Sequence, residues 1–111
     1  MSAPYTFFES LQETTNVPQD GILSRTLLDN ESLRLVLFHF AEGQELSEHT
    51  AAMPAVIQIV SGEARITLGT AVHDAQAGAF AYMPAHLKHA IYAKTTLVML
   101  LQLLKPTKPN G

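Results

Sequence analysis

Between Gly21 and Leu104 the chain is a string of short apolar-rich runs, each broken by residues that favour turns. The runs are ILSRTLLD (22–29), LRLVLFHFA (33–41), LSEHTA (46–51), AVIQIV (55–60), ARITL (64–68), AVHDAQ (71–76), AFAYM (79–83), KHAIYA (88–93) and TLVMLLQLL (96–104). Asp29-Asn30-Glu31, Glu42-Gly43, Met53-Pro54, Ser61-Gly62, Gly69-Thr70, Ala77-Gly78 and Pro84-Ala85 separate them. Runs of this length rich in Val, Ile, Thr and aromatics read as strands, and regular spacing with turn signals between them predicts an all-β sandwich or closed barrel. A helical period fits 33–41 poorly, because β-branched and aromatic residues crowd there and Gly43 follows. The first two runs are expected to pair as a hairpin. Within the second, Phe38 and Phe40 point to the core, which leaves His39 on the opposite side. The last run is apolar on both faces, so a strand buried on both faces is expected.

The ends differ from this pattern. Residues 1–20 read as an arm with Tyr5, Phe7 and Phe8 near its start and Pro18 and Gly21 at its close. It is expected to cap its own barrel or to lie across a second copy. Residues 21–104 form the barrel, and 105–111, KPTKPNG, form a polar tail.

A chain of 111 residues is the size of one domain. With 47% hydrophobic and only 15% charged residues, there are few charges to coat an isolated barrel, so a homodimer is expected. The net charge of −3, with no stripe of Lys or Arg, gives no reason to expect nucleic acid or an anionic membrane as partner. Leu97–Leu104 is far too short to span a bilayer. The first residues, MSAPYTFFES, have neither the basic nor the continuous apolar region of a signal peptide, so the expected location is the cytoplasm. There is no cysteine, and any metal must therefore be held by His, carboxylate, amide or water.

The candidate chemistry lies in two stretches punctuated alike. His49 falls six residues after Gly43 and thirteen before Gly62, and His89 falls eleven after Gly78 and five after Pro84. The first stretch resembles the first motif of the cupin superfamily, Gly, five residues, His-any-His, three or four residues, Glu, six residues, Gly, matched here by Gly43, His49 and Gly62. The second resembles the other cupin motif, Gly, five residues, Pro-any-Gly, two residues, His, three residues, Asn, matched by Gly78, Pro84 and His89. The resemblance implies a jelly-roll, or double-stranded β-helix, barrel. Four positions depart from it: Ala51 stands for the second His, Ala55 for the Glu, His86 for the Gly and Ala93 for the Asn. Of the four ligands usual in metal-binding cupins, His49 and His89 remain.

Alternation along strands places His49 with Ala51, Ala55 with Ile57, and His89 with Ala93 on inward faces, so the expected pocket is His49, His89, His86, Ala51, Ala55, Ile57 and Ala93. Glu48 is out of phase with His49, and Gln58 is out of phase with its inward neighbours. Catalytic first-row metal sites normally take three protein ligands, and His86, in the turn after Pro84, is the candidate third beside His49 and His89. The cofactor left open is one divalent ion, Fe, Mn, Ni or Zn. His73, next to Asp74, reads as solvent-facing, and Phe80 and Tyr82 read as packing residues.

Cupins include dioxygenases, isomerases, decarboxylases, sugar-binding regulators and storage proteins, so the resemblance implies a fold and leaves function open. Three readings stand side by side: a module that binds a small organic molecule, a mononuclear metal enzyme of dioxygenase or isomerase type, and a dimerising scaffold with a vestigial pocket.

Overall fold

A computed structural model describes residues 4–11 and 20–106. Nine strands and no helix occur among them: β1 (Ile22–Asp29), β2 (Leu33–Phe40), β3 (Glu45–His49), β4 (Ala55–Ser61), β5 (Glu63–Leu68), β6 (Ala71–Gln76), β7 (Phe80–Met83), β8 (His89–Ala93) and β9 (Leu97–Leu104). All nine expected runs are strands, with ends within a residue or two. Every pairing is antiparallel. They form a five-stranded sheet, β1-β2-β9-β4-β7, facing a four-stranded sheet, β3-β8-β5-β6. This two-sheet jelly roll is the expected fold.

The core between the sheets is built by alternation. Phe40, Ala55, Ile57, Ile59, Met83, Leu97 and Met99 of one sheet meet Ala64, Ile66, Ile91 and Ala93 of the other. Each large apolar side chain fully buried here contributes roughly 1.5–3 kcal/mol. A second cluster lies on the outer face of the five-stranded sheet, where Leu37, Val98 and Leu100 are covered partly by Leu11 of the N-terminal arm. β9 is central in its sheet and apolar on both faces because it serves both clusters. Tyr5 and Phe7 are exposed, so Leu11 is where the described arm is seen to pack on its own sheet. Residues 12–19 of the arm and 107–111 of the tail lie outside the described residues.

Two turns fix the strand ends. In the β1–β2 hairpin the Asn30 side-chain oxygen accepts from the amides of Ser32 (2.8 Å) and Leu33 (3.0 Å), an Asx turn. Between β4 and β5, Gly62 has φ +89°, and a Cβ there would lie 2.1 Å from the Thr96 carbonyl. Only glycine fits this turn, because it nests against the β8–β9 turn, where Thr95 Oγ1 accepts from the Glu63 amide at 3.0 Å.

Candidate functional site

β3 and β8 lie side by side, and their register brings the two motif histidines together. Glu45 pairs with Tyr92, Leu46 with Ile91 and His49 with His89, so three steps along β3 match two along β8. The extra residue is a β-bulge, and it decides where His49 points. Leu46 packs toward the core, and strict alternation from it would turn Glu48 inward and His49 outward. The bulge restores His49 to the face shared with His89, Ile91 and Ala93.

The imidazoles stand 4.2 Å apart between ring centroids, tilted by 58°. Each is held by the same local device. His49 Nδ1 donates to the Ser47 carbonyl at 2.8 Å, and His89 Nδ1 donates to the Leu87 carbonyl at 2.9 Å, each two residues earlier in the chain. A carbonyl only accepts, so Nδ1 carries the proton, and in the neutral form of the ring Nε2 presents a lone pair. His89 is buried and His49 is exposed, so the pair sits at the edge of the core with one ring toward solvent.

The loop before β8 is tied on both sides. The His86 amide donates to the Ala51 carbonyl at 2.8 Å, and the Gly69 amide to the Lys88 carbonyl at 2.7 Å. These bonds set the point at which His89 enters its strand. His86 itself has φ +70°, the left-handed conformation, and its side chain is exposed. Among the described residues no group of three or more His, Cys, Asp or Glu side chains is arranged to hold a metal ion. The structure therefore brings His49 and His89 together but does not assemble His86 with them as a third ligand, since the turn that His86 occupies leaves its ring in solvent.

The other expected pocket residues divide. Ala51 is half-buried beside the His86 loop, whereas Ala55, Ile57 and Ala93 are closed into the inter-sheet core. His39 is on the face opposite Phe38 and Phe40, as expected, but it is buried there, between Leu23 of β1 and Val98 of β9. Burial lowers its pKa below the ordinary value near 6.5. Gln58 lies on that same outer face and accepts from the Gln102 amide at 2.6 Å across β4 and β9.

His73 is exposed, as expected, although its register with Ile66 places it on the inner face of β6. The packing role expected of Phe80 and Tyr82 needs correction. Phe80 and Tyr82 are 63% and 56% exposed, because β7 is an edge strand with nothing described over its outer face. They line the rim of a cavity of about 250 Å³ between the edge strands β6 and β7.

Residues 36–102 match the cupin domain family, more than half of the chain. The chain is a cupin. Solved structures agree: a conserved protein of unknown function from Streptococcus pyogenes is 31% identical, with a TM-score of 0.81 over 97% of this chain and 93% of the other. A cupin superfamily protein from Desulfitobacterium hafniense is 28% identical, with a TM-score of 0.83 over 93% and 94%. A cupin 2 conserved barrel domain protein from Leptotrichia buccalis is 26% identical, with a TM-score of 0.79 over 86% of this cupin and 46% of that chain. No curated protein matches the sequence at a significant level. No helix among the described residues is long and apolar enough to cross a membrane.

Proposed function

We propose that this cupin binds a small organic molecule at the mouth of its barrel, with His49 and His89 as paired hydrogen-bond acceptors. The observation that carries the reading is the arrangement of the two rings: both Nδ1 atoms are committed to backbone carbonyls, and both rings meet across the β3–β8 pair. Two adjacent lone pairs cannot satisfy each other, so the group that suits them is a donor, an N–H or O–H of a ligand. A ligand that supplies both protons at once satisfies both rings.

Family resemblance implies a divalent metal at this position, and the donor set does not fit one held by the protein alone. Imidazole is a suitable ligand for Fe, Ni or Zn, but two protein ligands are fewer than the three of ordinary catalytic sites, and positions 51, 55 and 93 are alanines without donors. The mononuclear-enzyme reading stands second for that reason. A homodimer is proposed as well, motivated by the exposed apolar residues Leu23, Phe80 and Tyr82 on the outer side of one sheet. Sedimentation at low concentration tests it, and a monomer there removes it.

The test of the site uses full-length protein purified without an affinity metal. Long-range ¹⁵N correlation spectra are expected to show His49 and His89 with protonated Nδ1 and bare Nε2. Titration with N–H and O–H donor fragments, for example ethylene glycol and urea, should then shift both Nε2 signals. Absence of any such shift, or a stoichiometric metal that is lost on His49→Ala, would overturn the reading.

A further inference from the structure

The cavity at the β6–β7 edge is lined by neither motif histidine and opens from the edge of the inter-sheet core. Ile66 and Leu68 of β5 form its floor, Ala75, Ala79 and Ala81 give it room, His73 stands on its inner wall, and Phe80 and Tyr82 form its rim. We infer that this edge cavity is a second binding site, for an uncharged molecule with one six-membered ring and a short hydrogen-bonding substituent.

Separation from the histidine pair follows from register. Leu68 is the cross-strand partner of His89 and also lines the cavity, whose other walls on β5 and β6, Ile66, His73 and Ala75, lie further along the strands from the pair. Neither His49 nor His89 lines the cavity.

Size gives the ring. A dry apolar cavity of about 150 Å³ takes up benzene, and the space here is about 250 Å³, enough for one ring with a small substituent. Chemistry gives the rest. Leucine, isoleucine and three alanines offer no polar partner to the body of the ligand, and Phe80 and Tyr82, which turn to the outer face of β7, border it only at the rim. The polar end falls to the His73 imidazole. Asp74 also borders the cavity, but Lys94 at 3.1 Å and Arg65 at 3.9 Å engage its carboxylate. Neither an anion nor a cation finds an uncommitted counter-charge there, and burying an unpaired charge is strongly unfavourable.

The sequence carries the signal only in hindsight. Alanines alternate through AVHDAQAGAFAYM, from Ala75 to Ala81, where a sandwich edge ordinarily closes with larger side chains. Small residues on two facing edge strands leave the sheets apart.

The test is an NMR titration of the full chain with benzyl alcohol. Saturable shifts are expected at Ile66, His73, Ala75 and Ala81, unchanged in His49→Ala, while benzoate and benzylammonium bind at least about tenfold more weakly. Ala75→Leu and Ala81→Leu, which fill the space, should each weaken benzyl alcohol at least about tenfold. Shifts centred on His49 and His89, equal binding of the charged analogues, or undiminished binding in folded cavity-filled variants would overturn the site. Should neither variant fold, xenon pressure on the wild-type protein decides. Perturbed methyls at Ile66, Leu68, Ala75 and Ala81 support the cavity, and their silence removes it.

Discussion

Two histidines of this cupin are nearly withdrawn from solvent, His39 at 2% exposure and His89 at 6%, and they lie on opposite faces of the sandwich. His39 is on the outer face of the five-stranded sheet, between Leu23 and Val98 in register and next to the cluster of Leu37 and Leu100. His89 is on the inner face of the other sheet, with a second imidazole 4.2 Å away that opens to solvent. Burial alone therefore does not distinguish a packing histidine from a candidate ligand-binding one. The difference lies in the partner across the strand pair, apolar Leu23 and Val98 for His39 and a second imidazole for His89.

The largest effect expected is a double dissociation between these faces. His39→Ala empties a buried position and should lower stability by about 2–3 kcal/mol in urea denaturation, leaving the donor-fragment titration of the His49–His89 pair unchanged. His49→Ala, at an exposed position, should change stability by no more than about 0.5 kcal/mol and weaken the binding of donor fragments about tenfold. Wild-type stability in His39→Ala would break the comparison at its root.

A second effect concerns the bulge. Deleting Glu48 removes the extra residue and leaves His49 two steps from Leu46, inward by plain alternation, so the fragment-induced shift at His89 should survive; deleting both Ser47 and Glu48 should turn His49 outward and lower that shift about as far as His49→Ala. Full binding after the double deletion would mean that phase along β3 is not what aims His49.

These effects separate what was legible in the sequence from what was not. Nine strands could be placed because turn residues punctuate runs that are long enough to fill a sandwich and too short for helices. β9 declared itself through apolar residues on both faces, and Phe38 and Phe40 through alternation. The bulge could not be seen, since Ser47 and Glu48 carry no mark of irregular pairing until β8 lies beside them. The convergence of His49 and His89 was legible only through the motif resemblance, because local phase from Leu46 argues the other way. The burial of His39 depends on its place between Leu23 and Val98, and β9, which carries Val98, is far away in sequence. The exposure of His73 could be read from its neighbour Asp74, whereas its place on the inner face needs the pairing with Ile66.

A third effect is a pH dependence that belongs to the outer face. Desolvation lowers the folded pKa of His39 below its unfolded value near 6.5, so the unfolded chain takes up the proton first as pH falls. The stability contributed by the neutral ring is complete above pH 6.5 and is lost as pH drops from there through the folded pKa. Urea midpoints measured between pH 7.5 and 5 should decline in the wild type and decline less in His39→Leu. Equal slopes in the two proteins would assign the dependence elsewhere.

The smallest effect tests the turn between the two faces of the argument. His86 holds φ +70° at the position where the cupin motif has glycine, and a left-handed L-residue costs about 1–2 kcal/mol. His86→Gly removes that strain while keeping the amide that donates to Ala51, but glycine gives back part of the gain through the greater freedom of the unfolded chain. A net stabilisation of about 0.5–1 kcal/mol is expected, with the His49–His89 titration unmoved. If His86→Gly is more stable but binds donor fragments severalfold more weakly, the strain is being held in place for the imidazole, and His86 joins the pair as a contact made only when a ligand is present.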